Sequence, residues 1–195
     1  MPAPRILTGA IALAATSGLA LADLASFNDL VLGTTYAVGD TFTSDGIGFE
    51  ILDFTPGSMF SNQARVDNAL MAGGDGFDLE LNNVRLELMN PFSSVPSVTL
   101  FFGQFGGQNN LFVNGAMVSS GNIFSLDGMT VGGAMIDVLD LDGGTHGRLT
   151  VSGNVQSFGI SGQELWVDNL RFALPAPSTL PVLAAGGLVA LRRRR

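Results

Sequence analysis

The stretch Glu164-Leu165-Trp166-Val167-Asp168-Asn169-Leu170-Arg171-Phe172 reads as a strand, and one alternating phase carries Trp166, Asp168, Leu170 and Phe172. A carboxylate among three large apolar groups is costly unless a hydrogen bond, a counter-ion or a metal satisfies it. Two chemistries therefore stand open at Asp168. It either joins an oxygen-ligand cation site, for which Ca2+ suits an acidic chain without cysteine, or it accepts backbone N–H groups near a strand end. Other acid-rich patterns are weaker. Gly73-Gly74-Asp75-Gly76-Phe77-Asp78 fits the start of a calcium-binding β-helix repeat, but Glu80 stands at the large apolar position and there is one copy only, so it reads as a turn. Asp140-Leu141-Asp142-Gly143-Gly144 opens like an EF-hand loop, yet the glycine and the terminal glutamate are missing at the right spacing.

Catalytic constellations are thin. The one histidine, His146, lies in the glycine-rich loop Asp142-Gly143-Gly144-Thr145-His146-Gly147, and no serine sits in G-x-S-x-G. One His and no Cys exclude a His/Cys-rich zinc site. A glycosidase needs only two carboxylates, and seventeen acids neither exclude nor single out such a pair. The single Trp argues against a long sugar cleft, which uses several aromatic platforms. Phe101, Phe102, Phe105 and Phe112 read as core, and Gly103–Asn110, rich in amides, as a sugar-lining segment or, more simply, a hairpin loop.

The elements around these residues are strands. Phe27–Leu32 is a possible first one. Ile47, Phe49 and Ile51 alternate with polar or small residues after the turn Asp45-Gly46. Ala64–Met71 fits a strand or a short helix. Asp78–Leu88 changes phase at Asn82-Asn83, as a bulge or tight turn would make it. Val98–Phe105 is apolar on both faces, Asn114-Gly115 is a strong hairpin signal, and Met135–Leu141, Leu149–Val151, Val155–Ile160 and Glu164–Phe172 follow. About ten short strands with no amphipathic helix predict one all-β domain, a β-sandwich of jelly-roll type, over residues 23–174.

The last strand resembles that of carbohydrate-binding-module-like jelly rolls. In many of these a late acid joins acids near the start of the chain around a structural Ca2+. The resemblance nominates Asn28 and Asp29 as the partners of Asp168.

Both ends read as processing signals. Residues 1–22 have a short n-region with Arg5, an apolar stretch Ile6–Leu21 and an A-x-A site at Ala20 and Ala22, which predicts cleavage before Asp23. At the other end stand Pro175-Ala176-Pro177-Ser178-Thr179, an uncharged apolar run Leu180–Leu191, and Arg192, Arg193, Arg194 and Arg195. As a helix the run would rise about 18 Å against a hydrocarbon core of about 30 Å, a marginal transmembrane anchor with the arginines on the cytoplasmic side. The alternative is a C-terminal helix docked on its own domain. The three parts in this order closely resemble a PEP-CTERM sorting signal, with Ala176 where that family usually has glutamate. The resemblance implies export in a Gram-negative bacterium and transient anchoring in the inner membrane. It also implies cutting by an exosortase-type protease and delivery to the outer surface or the exopolysaccharide matrix. Signal peptidase and the export machinery are the other partners implied.

Between the signals lie four arginines, no lysine and seventeen acids, a net charge of −13. Such a surface repels nucleic acid and anionic lipid. With no cysteine, no disulfide supports the fold despite an oxidising compartment. The expected function is an exported, non-catalytic protein of the cell surface or extracellular matrix. The alternatives are a carbohydrate-binding module, with or without calcium, that retains the protein in exopolysaccharide, and a small glycan-active hydrolase or lyase.

Overall fold

The computed structural model describes residues 22–59, 61–89 and 94–173, and within them the chain is all-β. The strands are β1 (Ala22–Ala25), β2 (Thr35–Ala37), β3 (Thr41–Ser44), β4 (Ile47–Asp53), β5 (Gln63–Asp67), β6 (Asp78–Asn82) and β7 (Val84–Met89). They continue as β8 (Val95–Val113), β9 (Ala116–Ser120), β10 (Thr130–Val131), β11 (Ala134–Asp140), β12 (His146–Val155) and β13 (Phe158–Ala173). A single 3-10 turn, Ile123–Leu126, precedes β10.

Two long strands organise the sheet. β8 and β13 run antiparallel to each other along most of their length. The far side of β8 takes β12 and then β9, and the far side of β13 takes β7, β6 and β1 in turn. Three of these lead outward: β12 to β11 and β10, β6 to β5 and β2, β7 to β4 and β3. Every pairing is antiparallel, and all thirteen described strands belong to one continuous sheet. One core gathers the inward phase of nearly all of them, including Phe49 and Ile51 of β4, Leu79 and Leu81 of β6, Leu100 and Phe102 of β8, and Leu165 and Val167 of β13. Each such side chain contributes about 1.5–3 kcal/mol when fully buried.

Turn chemistry follows the sequence. Asp45-Gly46 joins β3 to β4 and Asn114-Gly115 joins β8 to β9, with φ of 50° and 84°, and 52° and 78°. Both residues of each pair are left-handed, as a two-residue hairpin turn that matches strand twist requires. Asn83, with φ 52°, is the step at which the chain leaves β5 and β6 for β4 and β7.

Four expectations change. Ala64–Met71 is strand as far as Asp67 and loop beyond it, not helix. Phe27–Leu32 is a turn region; the first described strand is β1, whose Asp23 pairs with Phe172. Gly103–Asn110 is no hairpin loop, because β8 runs unbroken through it. Val155–Ile160 and Glu164–Phe172 do not form two strands: Phe158 onward is one strand that absorbs Gly162–Glu164 as register shifts against β8. Of the sorting and cleavage residues, Ala22 and Asp23 lie on β1, while Ala20 and Pro175, Ala176, Pro177, Ser178, Thr179 and Arg192–Arg195 lie outside the described residues, as does the apolar run Leu180–Leu191.

Candidate functional site

Asp168 is fully buried, yet not in the core. It pairs with Phe101 of β8, whose neighbours Leu100 and Phe102 point inward, so Asp168 lies on the opposite, outer face. Two β13 residues, Asn169 and Leu170, then oppose the one β8 residue Leu100 before Arg171 meets Thr99, with Asn169 left-handed at φ 50°. This bulge returns Leu170 and Phe172 to the core. The expected common face of Asp168 with Trp166 holds; that with Leu170 and Phe172 does not.

The segment 68–77 covers Asp168 from outside. Asp75 N–H donates to Asp168 Oδ2 at 3.1 Å; Asn169 supplies its backbone N–H to Oδ1 at 2.6 Å and its amide to Oδ2 at 2.9 Å. Asp78, also fully buried, accepts the Ala72 N–H at 3.1 Å on Oδ2, while its Oδ1 is buried without a partner. Asn28 holds the same segment further along, accepting Phe77 N–H at 2.6 Å and donating to the Asp75 carbonyl at 3.2 Å. A β-carbon on Gly74 would overlap the Asp168 carboxylate, so only glycine lets the segment lie this close.

Burial dominates the electrostatics. It pushes Asp168 up to about 7, against the Asn169 and Asp75 N–H groups and with help from the Asp78 and Asp75 charges. Asp78 is raised too, by burial first, against the Ala72 and Met71 N–H groups.

Of the residues nominated for calcium, Asn28 and Asp168 meet the same segment and Asp29 does not. Asp29 accepts from Ser44 Oγ at 2.7 Å and from Asp45 N–H at 2.9 Å, which ties it to the β3–β4 hairpin. The Asn28 and Asp168 oxygens face N–H donors, the wrong polarity for a cation. Among the described residues no three His, Cys, Asp or Glu side chains group as a metal site. The three residues do not fit a calcium ion as arranged.

Beside this segment the outer face carries an aromatic cluster that sequence reasoning missed. A cross-strand row runs His146, Gly103, Trp166, Glu80, Arg65 and Thr35 over β12, β8, β13, β6, β5 and β2. Directly opposed residues share a face, so these side chains are neighbours. Gly103 leaves room for the Met71 carbonyl, and the Phe105 ring lies beside the place a β-carbon would take. The Phe105 ring is 5.1 Å from Trp166, edge on at 90°, and 5.7 Å from His146. Phe105 is 39% exposed, Phe101 is half-buried, and Phe112, though buried, lies between inward Leu111 and Val113 with the Arg85 guanidinium on its ring, so three of the four phenylalanines expected in the core face outward and Phe102 alone joins it.

The neighbours are fixed. His146 Nδ1 is hydrogen-bonded to Asp142 Oδ2, and Asp142 Oδ1 accepts the Thr145 and His146 N–H groups at 3.0 and 2.8 Å. The backbone His146 N–H foremost, then the ring, lowers the Asp142 carboxyl to about 2. Arg65 donates to Glu80 at 3.0 Å and Asp67 at 3.1 Å, and Asp67 Oδ2 lies 3.5 Å from Trp166 Nε1. Such exposed pairs stabilise little but hold positions. Two open polar hollows adjoin at Asn82 and together make a trough: Gln63, Arg65 and Glu80 line one, and Asn83, Gln163 and Glu164 the other.

Comparison of the chain with family models, with curated proteins and with solved structures found no match.

Proposed function

We propose that this chain is an exported, non-catalytic protein of the cell surface or extracellular matrix of a Gram-negative bacterium. Its signal peptide, residues 1–22, is removed by signal peptidase before Asp23. Its C-terminal segment, residues 175–195, is a PEP-CTERM-like sorting signal that anchors it briefly in the inner membrane and is cut by an exosortase-type protease. The cargo is a β-sandwich of jelly-roll type, a reading supported by the way β8 and β13 each exchange one set of partners for another along their length.

The observation that carries this reading is the C-terminal order of motif, short apolar run and four arginines. The pairing of Ala22 with Ala173 is consistent with it, since the two ends of the described domain are neighbours. The non-catalytic part draws support from the two buried carboxylates, Asp78 and Asp168, which accept N–H groups of their own covering segment. Intact-mass measurement of the protein from its native cells tests the whole. Loss of residues 1–22 and of most of 175–195 is expected; a mature protein that keeps Arg192–Arg195 overturns the sorting reading.

The aromatic cluster at Trp166, half-buried with Phe105 exposed beside it, favours a second reading, that the domain itself holds polysaccharide.

A further inference from the structure

We infer that the trough beside Trp166 binds a neutral polysaccharide chain. This rests on the second reading and supplies its site and ligand class. Trp166, half-buried and directly opposite Glu80 of the trough, supplies the apolar edge with Phe105 packed against it, and Gln63, Asn82 and Glu164 supply the hydrogen bonds.

Chemistry of two kinds meets there. A sugar ring offers a patch of C–H groups and a rim of hydroxyls. Aromatic rings take up the first by dispersion, and planar amides and carboxylates take up the second through paired donors and acceptors. Trp166 opposes Glu80, Glu80 opposes Arg65, and the next outward pair along β5 and β6 is Gln63 with Asn82. An aromatic wall thus borders a polar floor built on adjacent strands. Loops do not set this arrangement, so little order has to be created on binding. The linked side chains are already in place: Gln163 donates to Asn83 at 3.3 Å and Asn83 to Asn82 at 2.9 Å, while Arg65 is held by Asp67 and Glu80.

Charge selects among polymers. Asp67, Glu80 and Glu164 border the trough, and the Arg65 charge is already matched by Asp67 and Glu80. On a domain of net charge −13 this repels uronate, sulfate and nucleic acid chains. Shape selects as well. The trough is open along its length, whereas small-molecule sites enclose most of their ligand.

The chain's single tryptophan borders the site opposite Glu80, so its fluorescence reports on binding there. The full chain would be run in native gels containing mixed-linkage glucan, arabinoxylan, galactomannan or dextran, with polygalacturonate as the anionic comparison. Trp166 emission would be followed as each polymer is added. Retardation by at least one neutral polymer is expected, with a change in emission, and with affinity reduced about tenfold or more in Trp166→Ala. Asn82→Ala and Gln63→Ala should weaken binding too, and report on the site if Trp166→Ala fails to fold. Arg148→Ala, elsewhere on the outer face, should bind as the parent does. Retardation without an emission change, unaffected by the three site variants, overturns the site and leaves the second reading standing. Retardation by polygalacturonate alone overturns the neutral class. No retardation by any polymer overturns both the inference and the second reading.

Discussion

Asn28 and Asp168 hold one segment at two points: Phe77 N–H donates to Asn28 Oδ1 at 2.6 Å, and Asp75 N–H donates to Asp168 Oδ2 at 3.1 Å. The clamp depends on close approach at Gly74, where a β-carbon would overlap the Asp168 carboxylate. Gly74→Ala should therefore push the segment off its acceptors and cost roughly 2–4 kcal/mol, through steric displacement and a buried carboxylate left short of donors. Gly121→Ala, where a β-carbon meets nothing closer than 3.9 Å, should change stability by less than about 0.5 kcal/mol. Urea unfolding of both variants decides it, and equal midpoints would show that the segment is not clamped at Gly74.

The same burial makes stability depend on pH in an unusual direction. A carboxyl whose pKa is raised on folding binds more protons folded than unfolded, so stability is greatest below the unfolded value and falls as pH rises towards the folded one. For Asp168 that window runs from 3.8 to about 7, and its loss across the window is up to about 4 kcal/mol. Asp78 and Glu87, both raised by burial first, act in the same sense. Asp142, lowered to about 2, acts in the opposite sense, but only below the ordinary carboxylate range. Thermal unfolding should thus show a higher melting temperature at pH 5 than at pH 8. Asp168→Asn should flatten that slope, at a cost in absolute stability because an amide cannot accept on both atoms. A melting temperature that rises from pH 5 to 8 in the parent protein would mean that these carboxyls are solvated in the native state.

The turns of this fold are legible in the sequence because their chemistry is local. Asp45-Gly46 and Asn114-Gly115 need only the left-handed tolerance of those residue types, and the strands they join follow. The faces are less legible. Alternation assigns Asp168 to the face of Leu170 and Phe172, but Asn169 takes a left-handed conformation and adds one residue to the count, which reverses every side chain beyond it. Nothing in the composition of Asn169 announces this, since asparagine is equally at home in loops. The continuity of β13 is hidden for a related reason: Gly162, Gln163 and Glu164 read as a break, yet β8 remains paired alongside them through shifts of register. The cluster of Phe105, Trp166 and His146 is invisible at the sequence level because its members are neighbours only through pairing of β12, β8 and β13. A lone tryptophan carries no signal of exposure until its cross-strand partner is known.

Calcium should leave this protein indifferent. Asn28 and Asp168 present oxygens already facing N–H donors, and Asp29 is bonded to Ser44 and Asp45 on a separate hairpin. Melting temperatures in excess EDTA and in millimolar calcium should agree within about 1 °C, since a ligand that does not bind the native state adds no stability. Asp29→Ala should cost about 1–2 kcal/mol through its two lost hydrogen bonds, equally with and without calcium. A calcium-dependent rise in melting temperature that Asp29→Ala removes would restore the three residues as a shared site.

Asn114 separates the demands of a turn from those of a network. Its backbone sits at φ 52° in the β8–β9 hairpin, and its side chain links two other stretches, the β10–β11 turn and residues 154–157, where β12 gives way to β13. The carbonyl accepts Gln156 N–H at 2.7 Å and Ser157 N–H at 3.2 Å, and the amide donates to the Gly132 and Asn154 carbonyls, each at 2.8 Å. Asn114→Gly keeps the backbone conformation at no steric cost and removes all four bonds, so its loss of roughly 2–4 kcal/mol measures the network alone. Asn114→Asp keeps the two acceptances but turns an oxygen towards the Gly132 and Asn154 carbonyls, which puts acceptor against acceptor. Unless protonated, it should therefore be destabilised at neutral pH and recover part of the loss as pH falls through the carboxylate range, where a protonated carboxyl donates one bond again. Denaturant titrations of the two variants at pH 4 and pH 7 distinguish the contributions. An Asn114→Gly variant as stable as the parent would show that turn geometry, and not the side-chain links to Gly132 and to residues 154–157, is what selects asparagine there.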